Sequence, residues 1–135
     1  MSDTTSKPAW MLRSLLEIPE VLHAVLLSRD GLMQARTEEI SKDEADTYAA
    51  AMSGLASLCQ DPIFSGGAHN PWLETVIEFD SRYVFAIRAG AGAYLGVSTT
   101  AAVDLAAISR RMHELVGQIG HEMAVADRQG FGFHG

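Results

Sequence analysis

At 135 residues and 47% hydrophobic, the chain is sized for one domain with a real core and is too short for two ordinary ones. Seventeen acidic residues against ten basic ones give a formal charge of −7. Phosphate neutralisation needs a basic patch that this inventory barely supplies, so the balance argues against nucleic acid and suits a partner with a basic face.

Residues 1–8 are polar and are expected to form a flexible leading segment. They lack the basic stretch and apolar run of a signal peptide. From Trp10, apolar residues at Met11, Leu12, Leu15 and Leu16 recur at helical spacing until Pro19 ends the pattern. A short amphipathic helix is predicted there.

Two apolar runs follow, 23–27 and 32–36, separated by Ser28-Arg29-Asp30-Gly31. An Asp-Gly step lets the chain take positive φ and reverse tightly, so the runs predict a hairpin. In its first strand Val25 and Leu27 point one way and Ala24 and Leu26 the other. A strand apolar on both faces belongs inside a covered sheet.

Ser41-Lys42-Asp43-Glu44 reads as a capping box that opens a helix over about 42–59. Ala45, Tyr48, Met52, Leu55 and Cys59 form the stripe that should face the sheet. Beside it runs a row of small residues, Ala50, Ser53, Gly54 and Ser57, where an exposed helix face would ordinarily carry charge. Small side chains let another backbone come close, so the row predicts contact with a second helix; the alternative is that it passes under a loop. The single cysteine, Cys59, excludes an internal disulfide and reads as a buried thiol rather than a reactive one.

Residues 61–71, with Pro62, Gly66, Gly67 and Pro71, read as a loop. Runs at 73–79, 83–89 and 93–99 are joined by the short turns 80–82 and 90–92, which predicts an antiparallel three-strand meander. A last helix begins near Ala102, with Asp104 in its first turn and Leu105, Ile108, Met112, Leu115, Ile119 and Met123 on one face. Residues 9–126 therefore make one domain, and 127–135 are expected to be a flexible tail. The uncharged stretches 47–60 and 89–103 fall short of the roughly 20 apolar residues that cross a bilayer. No membrane span and a cytoplasmic location are expected.

The order helix, hairpin, helix, meander, helix resembles the roadblock family, named after a dynein light chain, and in particular its bacterial branch. The resemblance rests on Val25-Leu26-Leu27-Ser28-Arg29-Asp30-Gly31-Leu32, the small-residue helix after Ser41, and Leu95-Gly96-Val97 leading into the last helix. It spans about residues 10–123. What it implies is a roadblock/profilin-like α/β sandwich, a five-stranded antiparallel sheet with one helix on one face and two on the other, in the order α-β-β-α-β-β-β-α. It also implies a homodimer in which second helices lie side by side and middle strands join edge to edge. On that footing Ala50, Ser53, Gly54, Ser57, Glu74, Val76 and Glu78 are candidate dimer residues. Arg29, Arg36 and Arg82 are candidate partner contacts. If strand 73–79 paired with its copy about Val76, Glu74 would face Glu78 of the partner subunit, an unfavourable like-charge pair. Either the register is shifted, which is the favoured reading, or the edge is guarded against pairing.

Catalysis finds no support in the residues. A phosphate-binding loop would end in Lys and Ser or Thr, and neither lysine follows one. Gly90, Gly92 and Gly96 read instead as turn and close-packing residues. His23, His69, His113, His121 and His134 show no i, i+3 or i, i+4 metal pair, and the hydroxyls at 98–100 suit capping. No enzyme, metal or cofactor is expected. The resemblance implies instead a noncatalytic module that binds a Ras-like small GTPase and modulates its nucleotide cycle or location. The alternatives are a nucleotide-independent adaptor for a sensor-kinase-like or cytoskeletal partner, and a ligand sensor with a cavity lined by Tyr83, Phe85 or Tyr94.

Overall fold

In the computed structural model the backbone of residues 3–90 and 92–134 is described, with α4 side chains as far as Glu122. Ala91 and the Met123 side chain, both used in the sequence reading, lie outside that set. The elements are α1 (Lys7–Arg13), a 3₁₀ turn (Ser14–Glu17), β1 (Val21–Ser28), β2 (Met33–Arg36), α2 (Lys42–Cys59), α3 (Pro62–Ser65), β3 (Thr75–Glu78), β4 (Arg82–Arg88), β5 (Ala93–Thr100) and α4 (Leu105–His134). The five strands form one sheet in the order β2-β1-β5-β4-β3, every neighbouring pair antiparallel.

Alternation along the strands sorts side chains into two layers. Val25, Leu27, Ala86 and Tyr94 face α2, where Ala45, Ala49, Met52 and Ala56 are buried. Ala24, Leu26, Phe85, Ile87, Leu95 and Val97 face the other way, against Ala9 and Leu12 of α1 and Ile108, Met112, Leu115 and Ile119 of α4. One helix thus covers one face and two cover the other. β1 carries apolar residues to both layers because it is an interior strand, hydrogen-bonded to β2 and β5.

Local chemistry sets the helix boundaries. Ser41 Oγ accepts from the Glu44 N–H at 3.1 Å while the Ser41 N–H donates to Glu44 Oε1 at 3.2 Å, the reciprocal capping box. Asp104 precedes α4 and its carboxylate accepts from the Ala107 N–H at 3.1 Å, so the helix starts three residues later than its composition suggested.

Three expectations change. From Asp3 onward the leading segment is tied down: α1 begins at Lys7, the Ser6 hydroxyl accepts from the Ala9 N–H, and Asp3 bonds Arg36 through both its backbone and its carboxylate. The predicted loop at 61–71 holds α3, because Asp61 accepts from the N–H groups of Ile63 and Phe64 and Pro62 supplies a preset φ. α4 continues through 127–134, expected to be an aperiodic tail; no proline interrupts it, and extending an existing helix adds a hydrogen bond per residue.

Candidate functional site

Two surfaces stand out, the outward face of α2 and the free edge of β3. Ala50, Gly54 and Ser57 are exposed, and a Cβ placed on Gly54 meets nothing within 4 Å. Ser53 is different. Its hydroxyl donates to the Arg29 carbonyl at 2.9 Å, and a Cβ on Gly31 would stand 3.2 Å from Ser53 Cβ. Gly31, at φ +84°, is part of the hairpin turn, so the turn rests on α2 at this position and the row is small there for the chain's own packing.

The open face of α2 extends past the predicted row. Thr47, Ala51 and Leu58 are also exposed, Leu58 by 51%, and with Gly54 they recur at spacings of four, three and four. The signal was present in the sequence as a second uncharged helical stripe on the other side of Gly54. Just beyond the helix end, Ile63 and Phe64 of α3 are exposed by 92% and 66%. Together these make an apolar surface of a kind that soluble monomers seldom leave uncovered.

Among the described residues β3 pairs only with β4, leaving its other edge free. Leu73, Val76 and Phe79 are exposed along it. Glu74 lies just before the strand, and its carboxylate is held on α4 by the Ser109 hydroxyl, with His113 Nε2 at 3.3 Å. Glu78 accepts from the Tyr83 hydroxyl at 3.3 Å, an added anionic neighbour that raises the phenol pKa. Both carboxylates therefore have partners within the subunit.

Of the three candidate arginines, Arg36 is committed within the subunit. Its Nε donates to Asp3 at 2.8 Å and Nη1 to the Ile40 carbonyl at 2.6 Å, and the side chain is 16% exposed. Arg29 and Arg82 are exposed at opposite ends of the sheet's α2 side. Arg82, His23, Tyr48, Glu39 and Glu44 line a cleft by the start of α2. There His23 Nδ1 is buried with no hydrogen-bond partner among the described residues, and its ring meets Tyr48 edge-on with centroids 5.5 Å apart. Burial, with the positive charge of Arg82, lowers the His23 pKa below its ordinary value. Burial also pushes Tyr48 up to about 12, against the opposing bond to Ser98 Oγ at 3.2 Å.

The remaining chemical candidates have structural occupations. Gly90 and Gly92 take positive φ in the turn before β5, and Gly96 lies under Tyr48. Cys59, half-buried, lies 3.2 Å from Thr75 Oγ1. Phe85 is in the core and Tyr83 packs beside it, whereas Tyr94 reaches a cleft between the hairpin turn and α2. Among the described residues there is no group of three metal-ligating side chains, and no helix is long and apolar enough to cross a membrane.

The sequence matches the family model described as Roadblock/LC7 domain over residues 8–99. It is 32% identical to the Roadblock/LC7 domain from Streptomyces avermitilis in a crystal structure that covers 85% of this chain and 96% of that one, with a TM-score of 0.78. Myxococcus xanthus MglB superposes with a TM-score of 0.78 at 12% identity, covering 90% and 98% of the two chains. An MglB described as having a tetrameric arrangement does so at 0.74 and 17% identity, covering 85% and 86%. These last two are likenesses of fold. No curated protein matches the sequence significantly.

Proposed function

The chain belongs to the Roadblock/LC7 domain family, and from that membership we propose that it is a noncatalytic, homodimeric, cytoplasmic regulatory module of a bacterial signalling system, which binds a Ras-like small GTPase and modulates its nucleotide cycle or location. The observation that carries this reading is the uncharged open face of α2, Thr47, Ala50, Ala51, Gly54, Ser57 and Leu58, on the same subunit as the free β3 edge. A second subunit related by a two-fold axis would cover both, and the likeness to MglB supports self-association of this fold.

Edge pairing about Val76 is compatible with the local charges. Glu74 is drawn onto α4 by Ser109 and His113, so it is not left bare opposite Glu78 of the partner subunit. The dimer would then present two copies of Arg29 and Arg82, among few cations on a chain of net charge −7.

A regulator of a switch protein must prefer one nucleotide state, since equal affinity for both shifts nothing. Co-purification with the small GTPase encoded nearest to it, in GDP and GTP-analogue forms, tests the reading. Preference for one form is the expected result. Equal binding in both would favour a nucleotide-independent adaptor that docks a sensor-kinase-like or cytoskeletal partner, and a monomer in solution would remove the dimeric premise.

A further inference from the structure

Arg29, Asp30, Ser53, Ser57, Gln60 and Tyr94 line an open cleft of about 360 Å³ between the hairpin turn and the C-terminal half of α2. Its floor has one hydrogen-bond orientation. Gln60 Nε2 lies 3.0 Å from the Ala56 carbonyl and 2.8 Å from the Tyr94 hydroxyl. A carbonyl can only accept, so the Gln60 atom between the two is the nitrogen and the amide cannot be flipped. The Tyr94 oxygen is therefore the acceptor in that contact, and its own proton must point elsewhere. Among the described residues it meets no acceptor, although Tyr94 is only 6% exposed.

Arg29 and Ser57 line the same cleft. The Arg29 guanidinium makes no hydrogen bond or ion pair among the described residues, and neither does the Ser57 hydroxyl; the Ser53 hydroxyl is committed to the Arg29 carbonyl. Arg29 and Ser57 are exposed and only the Tyr94 proton is shut away from water; the three, one of them a planar fork, suit an acceptor with two oxygens in a plane. Asp30 beside Arg29 offsets its charge, so a monoanionic group leaves the cleft at one net negative charge and a phosphate dianion at two, which favours the monoanion of the two. The volume is at the small end of ligand pockets.

We propose that this cleft is a binding site for a small carboxylate, held by Arg29, the Tyr94 hydroxyl and the Ser57 hydroxyl. It shares Ser57 with the proposed dimer face and Arg29 with the proposed partner contacts but requires no GTPase, so the titration, run on the chain alone, succeeds or fails whatever becomes of the GTPase reading. Occupancy would tie the hairpin turn to α2, two elements that the Ser53 bond already brings together.

The test is a titration of the full chain with the monoanions acetate, glycolate and lactate, and with phosphate and chloride for comparison, followed by amide chemical shifts. Saturable shifts confined to residues 29–31, 57 and 60 and to β5 near Tyr94, with half-saturation at about 1 mM or below for at least one carboxylate, are expected. Tyr94→Phe keeps the ring and removes the unanswered donor; it should weaken binding about tenfold or more, as should Arg29→Gln. If Tyr94→Phe does not fold, Ser57→Ala and Arg29→Gln carry the comparison. Non-saturating shifts would overturn the proposal. So would equal responses to phosphate, chloride and carboxylates, or carboxylate binding that the variants leave unchanged.

Discussion

The ring of Tyr48 lies directly on the backbone of Gly96, so that a Cβ built on Gly96 would stand 2.7 Å from Tyr48 Cε1 and 3.0 Å from Met52 Cε. α2 thus approaches β5 more closely than any side chain there would allow. Gly96→Ala should lower stability by about 1–3 kcal/mol, the usual cost of overpacking a filled interior, and Gly96→Val by more. Urea midpoints of the two variants check this, and an unchanged midpoint for Gly96→Val would show that the helix can lift off at no cost.

Thr37 and Ala24 exchange two bonds in a buried setting: the Ala24 N–H donates to Thr37 Oγ1 and the Thr37 N–H to the Ala24 carbonyl, each at 3.1 Å. Thr37→Val preserves the shape and leaves the Ala24 N–H without its acceptor. The expected cost is about 1–3 kcal/mol, the penalty of an unsatisfied buried donor. Denaturant unfolding measures it, and hydrogen exchange at Ala24 should accelerate with it.

His23 makes stability depend on pH below neutrality. Its pKa in the folded chain is held below the ordinary value of 6.5 by burial and by Arg82. As pH falls through the unfolded-state value, the unfolded chain takes up a proton that the folded chain resists, so stability present above about 6.5 declines until the folded pKa is reached and then levels. His23→Gln should flatten that part of the pH profile. Tyr48 acts at the other extreme, since its pKa is pushed to about 12 in the folded state. Between its ordinary value and that one, the unfolded chain ionises first and stability falls as pH rises; Tyr48→Phe should remove this alkaline loss.

What could be read from the sequence was local. The start of α2 follows from the capping box over residues 41–44, the hairpin from an Asp-Gly step, and the interior place of β1 from four consecutive apolar residues. What could not be read depends on residues far apart in the chain. Arg36 is answered by Asp3, Glu74 by Ser109, and Tyr94 by Gln60, and no spacing rule links those pairs. For the same reason Arg36 looked free for a partner, and the cleft above Tyr94 was visible only as one tyrosine among three.

Arg36 supplies a prediction of its own. Because its side chain joins Asp3 to the Ile40 carbonyl, Arg36→Ala should loosen the leading segment and lower stability by about 1–2 kcal/mol. Affinity for any protein partner should stay as it is. Arg29→Gln and Arg82→Gln should do the reverse, leaving the unfolding midpoint near its wild-type value and altering partner affinity and its salt dependence. The pairing of the two readouts matters, since loss of binding in Arg36→Ala at intact stability would return that residue to the contact surface.

The dimer proposal is best probed at Gly54, not at Ser53. A side chain at Gly54 meets open space in the single subunit, and replacing a mid-helix glycine raises helix propensity by roughly 0.5–1 kcal/mol. Gly54→Glu should therefore fold at least as well as the parent. At a helix-to-helix seam the same carboxylate would be buried without a partner, so the variant should run at half the parent's mass in light scattering. Ser53→Arg confounds the two effects, because it also breaks the bond to the Arg29 carbonyl and collides with the hairpin turn at Gly31. Val76→Pro tests the other half of the proposed interface: proline has no N–H to give, whether to β4 or to a neighbouring edge. If Gly54→Glu remains a dimer while Val76→Pro is monomeric, the subunits meet through the sheet alone and the open face of α2 is left for the partner.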